Sequence, residues 1–349
     1  MTRQSSHTAA TALALVALVS TGAASAQSVE QFYAGRQMNL VVGSAAGSGY
    51  DSVARMVAAV MPKYLPGNPS IVVRNMPAGS GIAATNHMWA VADKDGSTFA
   101  CVQREAILDK LLGGETSQAT YDPRRFTWIG TPSADVGMAY SATRSGILTI
   151  QDVMKRETIT AAAGARSGSA VTPRLLNSLI GTKFKIVTGY QSSMDSLLAM
   201  ERGEADARVN SGWTGPETVQ VNEMVAQGKM AFLLQIGLAR LPAYPKVPHV
   251  LDLVKSEDDT KLMTVLFAGQ SLGRPFFAPP GIPADRAKAL RDAFAASMKD
   301  PEFVAAAKKT FIDIDPATGE QMQKLIEQVY ATPEPLLKRA IDITAGAQQ

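Results

Sequence analysis

Three short stretches place almost bare backbone between an apolar run and an amphipathic one. Gly43 to Asp51 reads GSAAGSGYD, Asn75 to Ala84 reads NMPAGSGIAA, and Ala161 to Pro173 reads AAAGARSGSAVTP. Glycine and alanine let backbone amides approach a ligand closely, and the serines add hydroxyl donors. A helix starting at such a loop aims unpaired N–H groups and a partial positive charge at whatever sits there. An anion can then be held without any basic side chain. The candidate seats are Ser44, Ala45, Ser48, Gly49, Tyr50 and Asp51 in the first loop and Ala78, Gly79, Ser80 and Gly81 in the second. In the third they are Ser167, Gly168 and Ser169, with Arg166 as a counter-charge or as a solvated loop arginine. Each loop alone also reads as a plain turn, the first one capped by Asp51. Three junctions of one character are more specific, because together they can surround a small anion.

Other chemistries fit less well. The first loop lacks the Gly-Lys-Ser/Thr of a nucleotide P-loop, and after Gly47 and Gly49 comes Ser52, so G-x-G-x-x-G fails too. No G-x-S-x-G elbow occurs, and a secreted hydrolase would have to recruit His87 or His249 from helix and loop positions. Those two histidines and the lone Cys101 do not make a zinc site, and Cys101 reads as a small buried hydrophobe. Asp195, Glu201, Glu204 and Asp206 read as a solvated face rather than an acid/base pair. Trp213 reads as a pocket wall, a rim aromatic or core. No catalytic residue, metal or cofactor is expected.

The elements that position these loops are strands followed by helices. MNLVVG leads into YDSVARMVAAVMPKYL, whose Val53, Met56, Val57, Val60 and Met61 recur at helical spacing. SIVVRNM leads into the second loop and IAATNHMWAVA, and STFACVQ is a third strand. A second set follows: FTWIGTPSADVGMAYS, a short helix at TIQDVMKR with Thr149 as N-cap, the third loop, FKIVTGY, SSMDSLLAMERGE, ADARVNSGW and MAFLLQIG. RPFFAPP is a further strand, and the chain beyond Pro283 reads as helical. Alternating strands and helices indicate parallel sheets, and such sheets bind ligands beyond the carboxyl ends of their strands.

The whole chain is consistent with this. At 349 residues it has length for about two domains of ~150 residues. It is 46% hydrophobic and 19% charged, and its net charge of +3 is too small and scattered for nucleic acid. The first 26 residues carry Arg3, an apolar run and the small-x-small site Ala24, Ser25, Ala26, the signature of a cleaved signal peptide. The expected product is an exported, soluble chain.

Taken together, these residues resemble the solute-binding receptors of tripartite tricarboxylate transporters, the Bug proteins, over essentially the whole chain after residue 26. Gly43 to Asp51 with Ser52 to Arg55 is similar to the family's first loop and its xxAR continuation. Asn75 to Gly81 is similar to its Asn-x-Pro-Gly-Ala-Gly-Gly loop, and Gly164 to Ser169 to its second-domain Gly-x-Gly-Ser loop. Tyr190 to Ser192 and then Gly203 to Asp206 resemble a Tyr-Lys-Gly segment and Gly-x-Val-Asp, which adds Tyr190 and Asp206 as site residues. Phe276 to Pro283 resembles the return strand. Gly43, Ser44 and Ala45 stand where the family has Pro-Phe-Pro, and Gln191 where it has Lys, which marks a divergent branch with an altered pocket.

The resemblance implies an α/β, type II periplasmic-binding-protein-like fold, two α/β lobes with a ligand cleft and hinge between them. Lobe 1 would comprise 27–130 plus 249–349, and lobe 2 131–248, with crossovers near Ile129 to Ala139 and Phe232 to Pro248. It further implies a monomeric periplasmic receptor for a small organic anion, a mono- or dicarboxylate, delivered to membrane permease subunits. An exported sensor that docks on a histidine kinase is the alternative.

Overall fold

The computed structural model describes residues 27–345 except 114–116, 165–166, 191, 214–215, 311 and 313. The expected leader 1–26, Arg166 and Gln191 therefore lie outside the described residues. In chain order the first half runs α1 (Val29–Tyr33), β1 (Gln37–Val42), α2 (Gly49–Val60), β2 (Ser70–Asn75), α3 (Ile82–Ala90), β3 (Thr98–Cys101), α4 (Arg104–Leu112) and β4 (Thr127–Thr131). Next come β5 (Gly137–Ala142), α5 (Ile150–Lys155), β6 (Thr158–Ala162), α6 (Gly168–Ile180), β7 (Phe184–Thr188), α7 (Ser193–Arg202), β8 (Ala207–Asn210), α8 (Pro216–Ala226) and β9 (Met230–Ile236). The chain closes with α9 (Glu257–Leu272), β10 (Phe276–Ala278), α10 (Ala284–Ser297), α11 (Pro301–Lys309), β11 (Ala317–Thr318), α12 (Gly319–Tyr330) and α13 (Glu334–Ala345).

Two sheets result. The first has the order β11-β4-β10-β3-β1-β2, the second β7-β6-β8-β5-β9. In the first, β1 pairs in parallel with β2 and β3, and β10 runs antiparallel to both β3 and β4. In the second, β6 pairs in parallel with β7 and β8, and β5 antiparallel to β8 and β9. Parallel strands require helical crossovers, and those helices bury both sheet faces. The side chains show it. Leu40 and Val42 of β1 and Phe99 of β3 enter one core with Val53 and Val57 of α2, while Val41, Ala100 and Val102 enter the other with Ile107 of α4. Each large apolar side chain so buried contributes about 1.5–3 kcal/mol.

The topology decides where the carboxyl ends go. β4 runs parallel to β3, so Thr131 leaves the first sheet at the same edge as Val42, Asn75 and Cys101. Only residues 132–136 separate it from Gly137, which pairs beside Asn210 at the carboxyl edge of β8. The two carboxyl edges therefore face each other across a short crossover. The return passes from Ile236 through α9 to Phe276. α13 packs on α4 and α9 and also on α6, so one helix spans elements of both sheets.

The second sheet rests on a buried ion pair. Arg208 Nε donates to Glu217 Oε1 at 2.9 Å, with side chains 7% and 6% exposed. Arg208 also donates to Ser196 Oγ and Ser193 Oγ, both at 2.8 Å, and Asn210 Nδ2 donates to Glu217 Oε2 at 2.9 Å. Every charge in this network is matched, so removing one partner leaves the other buried and alone. Glu217→Ala is expected to cost about 3–5 kcal/mol, measured by urea unfolding. A loss under about 1 kcal/mol would show that solvent reaches Arg208.

Candidate functional site

The first loop is built around one carboxylate. Asp51, 2% exposed, accepts from Gly47 N at 2.8 Å, Arg55 Nε at 2.9 Å and Asn75 Nδ2 at 2.9 Å. Burial pushes its carboxyl up, but Arg55, the Gly47 amide and Asn75 outweigh that and hold it down at about 2. Ser48, not Asp51, caps α2: its Oγ accepts from Asp51 N at 3.2 Å, and it lies 2.7 Å from Ser44 Oγ. Asn75 Nδ2 also donates to Ser44 O at 2.9 Å, which ties the first loop to the end of β2.

The second loop is pressed against the first. A Cβ on Gly43 would lie 3.0 Å from Gly81 Cα, and one on Gly81 would lie 3.2 Å from Gln103 N. The strand ends of β1, β2 and β3 thus meet with backbone pressed against backbone. The turn through Ala78 to Gly81 exposes Ala78, Gly79 and Ser80, and Ser80 has φ 51°, a left-handed conformation that is unusual for serine.

In the second sheet Ser167 and Ser169 organise the start of α6. Ser167 Oγ donates to Gly164 O at 2.7 Å and accepts from Gly164 N at 3.2 Å, while Ser169 Oγ accepts from Ala163 N at 3.1 Å. The first-turn amides of this long helix point out of its amino end, where helices leave donors without intrahelical partners. Helix α6 begins five residues ahead of Pro173, which the sequence placed at the end of the loop; proline's fixed φ suits a helix, and its missing N–H forgoes one bond. Tyr190 N donates to Ala162 O at 3.3 Å, so Tyr190 sits beside this loop.

Between the two edges lies a charged crossover. Arg104, the first residue of α4, pairs with Asp135 in the crossover, and Arg274 NH1 lies 3.7 Å from the other Asp135 oxygen. Asp135 N donates to Gln270 O at 2.8 Å. Tyr50 reaches the same place: its hydroxyl accepts from Arg104 N at 3.3 Å and lies 3.5 Å from Gly273 O. Burial pushes the Tyr50 phenol well above its usual value, so it stays protonated. Gly273 (φ 55°, ψ −110°) must be glycine here, since a Cβ would fall 1.9 Å from Ser133 O. A cavity of about 460 Å³ opens beside the hinge, lined from α4, α6, α9, Ser211 and Thr344.

This architecture recurs in solved structures. A TctC solute-binding protein from Polaromonas superposes with a TM-score of 0.68 at 17% identity, covering 87% of this chain and 98% of that one. MatC from Rhodopseudomonas palustris, with bound malate, gives 0.52 at 19% identity, covering 88% and 99%. An R. palustris protein with adipate gives 0.54 at 18% identity, covering 89% and 97%. The chain has a type II periplasmic-binding-protein-like fold of two α/β lobes. No protein-family model matches the sequence, and no curated protein does.

Within that fold the candidate residues fall into three groups. Ser44, Ala45, Ser48, Gly49, Tyr50, Asp51 and Ala78 to Gly81 gather at one carboxyl edge; Ser167, Gly168, Ser169 and Tyr190 gather at the other. Asp206 is not brought to them. It precedes β8, and its carboxylate accepts from Ile159 N at 3.0 Å at the amino end of β6. Trp213 is core, 3% exposed, with its Nε1 donating to Tyr244 OH at 2.9 Å. His249, 1% exposed, caps a turn by accepting from Leu251 N at 3.3 Å. Arg104 and Gln270 were not legible as site residues, because α4 and α9 carry no one-sided apolar stripe and are buried on several faces; Asp135 lies in the crossover and Ser211 just past β8, where no motif marks them.

Asp51 makes the first loop acid-sensitive. Its folded pKa lies below the unfolded value near 3.8, so its contribution is complete above pH 4 and is lost as pH falls through about 2. The depression corresponds to about 2 kcal/mol. Asp51→Asn should lose about that much at pH 7 and show a flatter stability profile from pH 4 to 2 in denaturant melts. Identical profiles for the two proteins would remove Asp51 as the organiser of the loop.

Proposed function

We propose that this chain is a divergent tripartite-tricarboxylate-type solute-binding receptor that captures a small organic anion. Its residues 27–130 plus 249–349 and 131–248 act as two lobes closing on the ligand, each contributing loop amides and hydroxyls. In this reading it is exported with removal of residues 1–26, works in the periplasm, and hands its ligand to membrane permease subunits without catalysing a reaction. Among the described residues, no helix is long and apolar enough to cross a membrane.

One observation carries the reading. Strand-end loops on two facing carboxyl edges both run into helix amino ends, and the acidic group among them, Asp51, is already paired with Arg55 and accepts from the Gly47 amide and the Asn75 side chain. The seat therefore offers donors to an anion without an opposing free charge. Malate and adipate, bound by two proteins of this fold, support a carboxylate.

The test is a thermal-shift and calorimetry screen of the chain against carboxylates, amino acids and neutral sugars. At least one carboxylate should bind, stabilising the protein by about 2.7 kcal/mol at a hundredfold excess over its Kd. Binding of neutral sugars with no binding of any anion would overturn the proposal.

A further inference from the structure

The crossover holds three charged groups that are one bond short. Asp135 binds Arg104 closely through Oδ2, while its Oδ1 lies 3.7 Å from Arg274 NH1, too far for a hydrogen bond. Arg274 Nε and NH1 are buried and, among the described residues, have no hydrogen-bond partner. Buried donors on a charged group are costly to leave unmet. Asp135 is the one carboxylate paired with Arg274 among those residues.

Arg104 is better supplied. Its Nε also meets Glu105 Oε1 at 3.3 Å, so it keeps a partner when Asp135 leaves. Whichever arginine holds the Asp135 carboxylate, the other falls short. Neither arrangement satisfies all three groups, which is the condition for two states that a modest force can bias.

The backbone puts this carboxylate at the boundary between the two sheets. Asp135 N donates to Gln270 O at 2.8 Å, near the end of α9, which leads into β10 of the first sheet. One residue on, Val136 O accepts from Trp213 N at 2.7 Å, in the segment that follows β8 of the second sheet. Attachment thus changes from one sheet to the other between Asp135 and Val136. The second sheet meets Asp135 with bare backbone. A Cβ on Gly212 would lie 3.8 Å from Asp135 Oδ2, the oxygen on Arg104, and one on Gly237 (φ 151°) would lie 3.7 Å from Asp135 O. Glycine lets these segments pass close to Asp135 with no side chain to interlock. Gly212 stands beside the carboxylate and moves with the second sheet.

We infer that Asp135 is a two-position latch: its carboxylate passes from Arg104 to Arg274 when the second sheet turns about the Asp135–Val136 junction. The ion pair it makes then sets the angle between the lobes. The latch rests on the two-lobe closure proposed above and works without a ligand.

Spin labels on Val304→Cys in α11 and Val219→Cys in α8 report the separation of the lobes, since α11 packs on α2 and α8 on β9. Both sites are exposed, and the native Cys101 is buried. In the ligand-free chain, Arg104→Met should shift the distance distribution, changing the ratio of the two arrangements by about tenfold or more. Adding Arg274→Met should reverse that shift. Should either variant not fold, Arg104→Lys, alone and with Arg274→Lys, keeps the charges but loses the guanidinium, and must show the same shift and reversal at smaller size. An unchanged distribution on loss of Arg104, or a shift that survives the loss of Arg274, overturns the latch. A carboxylate that still binds then leaves the receptor reading standing. Shift and reversal with no carboxylate bound would uphold the latch and overturn the receptor reading alone.

Discussion

Three backbone turns meet at Gly43, Gly81 and Gln103, so closely that a Cβ on either glycine would press on its neighbours. A Cβ on Gly43 would lie 3.0 Å from Gly81 Cα and 3.1 Å from the Val102 side chain. That contact fixes the ends of β1, β2 and β3 relative to one another, with Gly43 N donating to Cys101 O at 2.9 Å and Met76 N to Val42 O at 2.7 Å. Everything beyond the strands inherits its position from this junction. The amino ends of α2, α3 and α4 converge because their strands end together.

What the junction leaves open is charge, and the hinge supplies it. Arg104 follows Gln103 by one residue, so the packing that unites the loops also delivers a guanidinium to the crossover, where Asp135 meets it. Arg274 and the Asp135–Gln270 backbone bond bring the return segment to the same point. Loop geometry and hinge geometry are thus one structure. In the proposed receptor reading, a closing motion about residues 132–136 would change the surroundings of Arg104, Tyr50 and Gly168 together and so couple ligand contact to lobe position.

Much of this was readable in the sequence, and the reasons for success and failure are physical. The strand–loop–helix junctions at Gly43 and Asn75 were legible because a Gly-rich loop between an apolar run and a 3.6-residue pattern has few other uses, and Thr149 was legible as a cap from its type and place. Helices α4 and α9 were not, since elements buried on several faces lose the one-sided periodicity that reveals a helix. Arg104 and Gln270 went unseen with them. Asp206 shows a different limit: a residue that precedes a parallel strand must lie at its amino edge, away from loops that follow strands. Its place in ADARVN carried that information, and motif spacing masked it.

The central claim is that loops of both sheets hold one small anion at the same time. Hydrogen–deuterium exchange of the chain, with and without a saturating carboxylate found to bind, tests it most directly. Exchange should slow together in the segments 44–51, 78–84, 103–112 and 167–173. Protection confined to the loops of a single sheet, or none in any of these segments, would contradict the account.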